Sequence, residues 1–142
     1  MLVDRMKALA WSLLTLAAGF APADEPANIG FSVLAGFEYQ EGKALPDTVT
    51  KYDGKKVTVA GFMKREDGGD GDAEEFLIVN DACGCNGTPK LNEIVFCVMP
   101  AGEMAKIKAG VAKVTGTLHV GEEKDGDTVV ALYVLDVEST GQ

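Results

Sequence analysis

The stretch Lys56-Val-Thr-Val-Ala-Gly-Phe-Met-Lys64 decides the fold class of this chain, because apolar residues recur at every second position along it. This alternation predicts a β-strand that is buried on one face. Val57, Val59 and Met63 lie on the face that we expect to point into a core. The stretch Val111-Ala-Lys-Val-Thr-Gly-Thr-Leu-His-Val120 repeats the pattern further along the chain. The two stretches together indicate an all-β protein.

Three further segments complete a set of five predicted strands, since each is short, apolar or β-branched in composition and bounded by turn residues: Glu75–Val79, Glu93–Met99 and Thr128–Val137. The pairs Asp53-Gly54 and Asp125-Gly126 are typical of turns. The spacing of apolar residues predicts one short helix over Glu103–Ala109, ended by Gly110.

Five strands with a short helix between the third and the fourth predict a small five-stranded OB-like Greek-key barrel. Gly61 and Gly116 support a barrel, because each lies inside a predicted strand. Glycine weakens a strand unless the strand must bend sharply there, as it does at a barrel corner. An antiparallel sandwich with a similar number of strands is the alternative.

The first residues of the chain have the layout of a secretory signal. Arg5 and Lys7 form a short basic start, residues 8–20 are apolar and uncharged, and Ala21-Pro-Ala23 offers small residues for cleavage. The apolar run is too short to cross a bilayer, which takes roughly 20 residues. We therefore expect a signal peptide over 1–23 and an exported protein, periplasmic or secreted, with no membrane span in its mature form.

The sequence after the signal divides into an N-terminal extension over 24–44 and a barrel domain over 45–142. Residues 24–29 are polar and contain proline, and we expect them to form a flexible lead-in. The formal net charge of the whole chain is −9. A chain this acidic repels phosphate backbones and anionic membranes. We therefore expect no nucleic acid as a partner. Metal ions, neutral ligands and periplasmic protein partners remain, and we expect a monomer.

Cys83-Gly-Cys85 is the main candidate for a functional site. Thiolates bind zinc and Cu(I) well, and two cysteines one residue apart can direct both sulfur atoms at one ion. Zinc needs further ligands, and Cys97, Met99 and His119 are the candidates. Without a second cysteine pair the motif is a weak indication of zinc.

The position of the additional ligands is unfavourable for a metal site. Cys97 lies in the middle of a predicted strand, where a free cysteine is commonly a small buried hydrophobe. His119 lies on the face of its strand opposite Leu118 and Val120, so we expect it to face solvent.

A disulfide is the second interpretation of the cysteines. A bond between Cys83 and Cys85 is unfavourable, because a separation of two residues strains the bridge. A bond from either of them to Cys97 would fasten the loop to a strand and leave one thiol over. Thiol-redox chemistry is the third interpretation, with only Lys90 near enough in sequence to lower a thiol pKa.

Other chemistry is weakly indicated. The acidic loop over 64–75 contains several carboxylates among glycines and could bind Ca²⁺, but a solvated turn is the simpler interpretation. The chain has one histidine, and no Ser/His/Asp or Cys/His arrangement is evident, so we expect a protein that is not an enzyme.

The order of several motifs resembles a family of small exported bacterial proteins described only as a domain of unknown function. The motifs are Asp53-Gly-Lys-Lys-Val-Thr-Val-Ala-Gly-Phe-Met63, Glu75-Phe-Leu-Ile-Val79, Ala82-Cys83 and Asn92-x-Ile-Val95. The resemblance implies an OB-like barrel in the periplasm or at the cell surface and no established activity. It also implies a second soft ligand after the first loop cysteine, and an aliphatic residue where Cys97 stands.

These patterns favour an exported binding or accessory module that captures zinc or copper through the Cys83/Cys85 loop. The alternative is a module without a metal that binds a partner protein or a glycan. Its binding surface would be the barrel face that carries Phe62, Phe76 or Phe96, and its cysteines would only fasten the loop.

Overall fold

The structure is a computed structural model that describes residues 25–81, 83–85 and 87–141. The expected signal peptide over 1–23 lies outside the described residues. Within the described part of the chain, no helix is long and apolar enough to cross a membrane.

Six strands form one sheet: β1 (Ala27–Ile29), β2 (Lys55–Lys64), β3 (Glu75–Val79), β4 (Ile94–Val98), β5 (Val111–Asp125) and β6 (Thr128–Gly141). The strand order is β1-β2-β3-β4-β6-β5, and β2 also pairs with β5. This second pairing closes β2 to β6 into a ring of five strands. Only β4 and β6 run parallel within the ring, as a Greek-key connection requires. The predicted all-β, OB-like barrel is confirmed.

The helical content is confined to single turns: α1 (Phe31–Leu34), α2 (Asp47–Thr50) and a 3₁₀ turn at Leu91–Glu93. The predicted helix over Glu103–Ala109 is wrong. The backbone N–H of Ala105 donates to the carbonyl of Ala73, and the N–H of Ala73 donates back to Ala105. These two hydrogen bonds, between residues far apart in sequence, engage the backbone of Ala105, so it cannot take part in the hydrogen bonds of a helix.

The N-terminal lead-in is more ordered than predicted. Residues Ala27–Ile29 form β1, which pairs in parallel with Val57–Val59 of β2. Ile29 and Phe31 are buried against the barrel. Ile29 at the end of the lead-in and Phe31 just after it thus gain burial that the polar composition of residues 24–29 does not reveal.

The hydrophobic core fills the barrel, and its largest fully buried side chains include Leu34, Phe76, Ile78, Leu118, Leu132, Tyr133 and Leu135. Gly116 marks the closest approach of two strands. A Cβ atom there would lie 2.8 Å from the carbonyl carbon of Asp136 and 3.0 Å from the Cα of Val137. The pairing of β5 with β6 also shifts register between Thr115 and Gly116. The predicted need for glycine in this strand is confirmed as a close backbone approach.

Candidate functional site

The cysteine loop, defined as residues 80–90, joins β3 to β4 at one end of the barrel. Its first turn is stabilised by Asp81, whose Oδ1 accepts the backbone N–H of Cys83 at 3.0 Å. Aspartate commonly closes such a turn with its own side chain. At the other end of the loop, the N–H of Lys90 donates to Oε2 of Glu93 at 2.7 Å. The loop is thus held at both ends by carboxylates.

Cys83 and Cys85 are exposed and joined by a disulfide bond, although the sequence indicated that this bridge was unfavourable. Gly84 lets the bond form across this short separation, because its φ of +66° bends the chain sharply between the two cysteines. Glycine adopts this conformation without steric cost. The bend brings the Cα atoms of the cysteines to 5.2 Å, within the range usual for disulfides.

Cys97 is a core residue, as predicted from its strand position. Its side chain is 1% exposed and lies among the other buried apolar residues. Burial raises the pKa of its thiol, so the thiol is protonated at neutral pH. Cys97 is free, which excludes in this structure the alternative disulfide from the loop to β4. Its backbone lies opposite Phe76, several residue pairs from the cysteine loop.

His119 faces solvent, also as predicted. Its Nε2 lies 2.7 Å from Oδ2 of Asp136, so the two side chains form an exposed pair on neighbouring strands. His119 follows Leu118, which pairs with Lys55 at the start of β2, whereas β3 and the cysteine loop after it meet β2 at its other end, where Phe62 pairs with Val79. Met99 follows β4 at the strand end opposite the loop. None of the three additional ligands that the sequence offered therefore joins the cysteine pair.

Clusters of possible metal ligands are also absent from the rest of the described chain. Across residues 25–81, 83–85 and 87–141, no three His, Cys, Asp or Glu residues are grouped so that they could hold a metal ion. Asp81 lies beside the pair, with its Oδ1 3.3 Å from Sγ of Cys83. Any ion at the loop would depend mainly on the two cysteine sulfur atoms.

A cavity of about 290 Å³ borders the cysteine loop. Gly84 contributes to its wall, and Leu77 and Val79 are among its apolar residues. Its charged lining consists of two basic and three acidic residues: Lys64, Arg65, Glu66, Asp81 and Glu93. Nothing in the sequence alone indicates that these two basic residues lie beside the loop. The pairing of Lys64 with Leu77 on β3 places them there, and only the register of the hairpin reveals it.

Arg65 also organises the acidic loop over 64–75. Its guanidinium donates to both carboxylate oxygens of Asp67, at 2.9 and 2.7 Å, and to the main-chain oxygen of Asp72 at 2.9 Å. The hydrogen bond from Arg65 holds the pKa of Asp67 below its ordinary value. The carboxylate of Asp67 is therefore paired with Arg65, which favours a solvated turn over a Ca²⁺ site for this loop.

The three aromatic residues that the sequence offered as a binding face do not lie on the same side of the barrel wall. Phe76 is 1% exposed and points into the core, so it is wrongly placed in that prediction. Phe62 and Phe96 are half-buried and lie on the outer surface, because they alternate with inward-facing neighbours.

The fold and the site together define a small β-barrel domain that presents a bonded cysteine pair on one exposed loop. The chain belongs to the family described as protein of unknown function (DUF3299), whose model matches residues 31–141. This assignment confirms the resemblance to a family of unknown function. No curated protein matches the chain.

Two solved structures are similar to the barrel. A DUF3299 family protein from Pseudomonas aeruginosa PAO1 is 17% identical, with a TM-score of 0.51 over 82% of this chain and 95% of that one. That likeness shows the fold alone. A putative aspartyl-tRNA synthetase from Leishmania major Friedlin is 11% identical, with a TM-score of 0.40 over 87% of this chain and 22% of that one. The second likeness is too weak to bear on function.

Proposed function

We propose that this protein is an exported accessory module, not an enzyme, that captures a soft metal ion between Cys83 and Cys85 when the bond between them is reduced. One observation carries the proposal: a single glycine turn holds two exposed cysteines with their Cα atoms 5.2 Å apart. Two thiolates so close together can bind one soft ion.

Cu(I) is the ion that this arrangement favours over zinc. A structural zinc site takes four ligands, and a catalytic one takes three with water. Cys97 is buried in the core and His119 is paired with Asp136, so neither supplies a third ligand. Cu(I) is selected by soft thiolate ligands, and two of them suffice for it. The carboxylate of Asp81 beside Cys83 adds negative charge that attracts the cation.

Reduction is required first, because a disulfide sulfur is not a thiolate ligand. A dithiol reductant attacks the Cys83–Cys85 bond, the two cysteines gain two electrons and two protons, and the reductant becomes a disulfide. The exposure of both cysteines gives such a reductant access to them.

The test is a metal titration of the reduced protein without oxygen, using Cu(I) alone and Zn²⁺ alone against a coloured chelator. We expect one Cu(I) per chain in the wild type, seen also by native mass spectrometry, and weaker retention of zinc. The double variant Cys83→Ser/Cys85→Ser should lose the copper. Cys97→Ala, which keeps the pair, should retain it. Absence of copper from the reduced wild type, or equal retention by the double variant, would overturn the proposal.

A second candidate is an interaction module whose cysteines are structural. The observation that favours it is the Cys83–Cys85 bond itself, which closes the first turn of a loop bordering a cavity. Under this proposal the protein purified from the periplasm carries the bond and no metal. The double serine variant would then only weaken the binding of a partner, whereas under the metal proposal it abolishes function.

A further inference from the structure

The outer surface of β3, β4 and β6 is apolar where a barrel wall is normally polar. Leu77 lies between the buried residues Phe76 and Ile78, so its side chain faces outward. Phe96 likewise lies outward between Val95 and Cys97. A solvated face of a sheet typically shows polar residues at these positions.

Register brings the outward residues of three strands together. Phe96 lies directly opposite Leu77 on β3 and beside Val134 on β6. Val98 continues the apolar row along β4, and Val130 on β6 is 42% exposed. Single exposed apolar residues are ordinary, but a contiguous group across three strands marks an interaction site.

These residues line a groove of about 220 Å³, which we call the outer groove. Its remaining polar lining consists of three carboxylates, those of Glu66, Glu75 and Glu123. Among the described residues that line it, none is lysine, arginine or histidine. Glu66 and Glu75 lie on the side of β2 and β3, whereas Glu123 lies on β5 across the groove. The outer groove is therefore an apolar channel with negative charge on two sides.

We propose that the outer groove binds an extended segment of a partner protein in which apolar side chains alternate with lysine or arginine. Alternating side chains of an extended segment point to opposite sides, so one set can fill the groove. The cationic set can then reach the carboxylates on both rims. This charge complementarity decides the chemistry of the partner.

A second copy of this chain does not meet the same requirement. Its own outer groove carries the same three carboxylates, and the net charge of each chain is −9. Two such faces repel each other, and no lysine or arginine of either groove relieves the repulsion.

The outer groove also adjoins the cysteine loop. Leu77 and Glu66 line both the groove and the cavity that Gly84 borders. The outer groove and that cavity are therefore neighbours on the barrel surface. The proposal does not depend on metal capture, because it rests on the outer surface of the strands alone.

The probe for the test is a synthetic peptide of about ten residues that alternates lysine with leucine or phenylalanine. Its affinity for the full chain is measured by fluorescence anisotropy at two ionic strengths, and its position by amide shifts in NMR spectra. We expect saturable binding that shifts the amides of Leu77, Phe96 and Val134. Added salt should weaken the binding, because the rim carboxylates are exposed to solvent.

Two pairs of variants separate the groove from general charge attraction. Val130→Lys, on β6, should weaken binding of the peptide by about tenfold. Val111→Lys adds the same charge at an exposed valine outside the groove, on β5, and should have little effect. Glu123→Gln should weaken binding of the peptide by about threefold, whereas Glu103→Gln, outside the groove, should leave binding unchanged. All four positions are exposed, so folding is expected to survive, and circular dichroism checks it.

Several results would overturn the proposal. They are the absence of saturable binding, equal losses in groove and control variants, and equal affinity for a peptide that carries glutamate in place of lysine. Dimerisation of the chain that Val130→Lys abolishes, seen by analytical ultracentrifugation, would assign the groove to a second copy instead. Failure of the reduced wild type to bind copper leaves these predictions unchanged, so the two proposals fail separately.

Discussion

The hydroxyl group of Tyr133 donates a hydrogen bond of 2.7 Å to the main-chain carbonyl oxygen of Leu34. Tyr133 lies on β6 inside the barrel, and Leu34 ends the short helix α1. Both residues are fully buried, so water has no access to either partner. Burial raises the pKa of Tyr133, and the hydroxyl therefore remains a donor through the neutral range. One hydrogen bond thus fastens the segment before the barrel to its core.

Replacing Tyr133 with phenylalanine should lower the free energy of unfolding by about 1–2 kcal/mol, because the carbonyl of Leu34 stays buried and loses this donor. Urea denaturation measures the change. Tyr52→Phe is the matched control, since Tyr52 is only half-buried and contacts Lys51 through its ring. Its effect should stay within about 0.5 kcal/mol. Equal stability of wild type and Tyr133→Phe would show that the bond contributes nothing.

A methyl group at position 116 should be strongly destabilising. The Cβ of Gly116→Ala would overlap the backbone of Asp136, which belongs to a paired strand and has little freedom to move. Overpacking of this kind costs about 3 kcal/mol. Gly141→Ala, where the closest atom would be the carbonyl oxygen of Lys113 at 4.0 Å, tests the same change in open space. Thermal unfolding should separate the two variants, and similar melting temperatures would contradict the close approach.

The barrel could largely be predicted from sequence because its strands alternate in polarity. The predicted bounds of Glu75–Val79 agree with β3, and every other barrel strand was located. The extension of β5 beyond Val120 was missed, since Gly121-Glu-Glu-Lys-Asp125 has no apolar period. The helix predicted over Glu103–Ala109 is wrong, because the backbone bonds between Ala105 and Ala73 depend on tertiary contact. Local pattern carries no information about such partners.

The candidate site was only partly predictable. The burial of Cys97 and the exposure of His119 followed from strand position, and both are confirmed. The Cys83–Cys85 bond was not predicted, because it depends on the positive φ that Gly84 adopts. The sequence does contain an indication of the outer groove, because the strand Ile94–Val98 has no polar residue on either face. A strand apolar on both faces is typical of one that is covered on both sides.

The three cysteines should react with an alkylating reagent in a fixed order. The native protein without reductant should take up no label, because Cys83 and Cys85 are bonded and Cys97 is 1% exposed with a raised thiol pKa. Reductant should release the two loop cysteines, and only unfolding should add Cys97. Mass spectrometry of peptides assigns each label. Labelling of Cys97 in the native protein, or a bond from Cys97 to the loop, would contradict the structure.

Stability at the extremes of pH should depend on the contact between Tyr39 and Glu122. The Tyr39 hydroxyl and the N–H of Gly42 each donate to Oε1 of Glu122 at 2.8 Å. Burial, followed by the hydrogen bond and the charge of Glu122, raises the pKa of Tyr39 from 10.0 to about 12. The N–H of Gly42, followed by the Tyr39 hydroxyl, lowers the pKa of Glu122 from its ordinary value of 4.5.

The two shifts act at opposite ends of the pH range. The raised pKa of Tyr39 means that this residue stabilises the fold fully below pH 10. That contribution is lost as the pH rises from 10 to about 12. The lowered pKa of Glu122 means that this residue stabilises the fold fully above pH 4.5. That contribution is lost as the pH falls below this value. Tyr39→Phe should remove the alkaline loss, and Glu122→Gln should remove the acid loss. The measurement is the difference in unfolding free energy between each variant and wild type across the pH range, with Glu103→Gln as the exposed control. A difference that does not change with pH would show that the contact is not formed in solution.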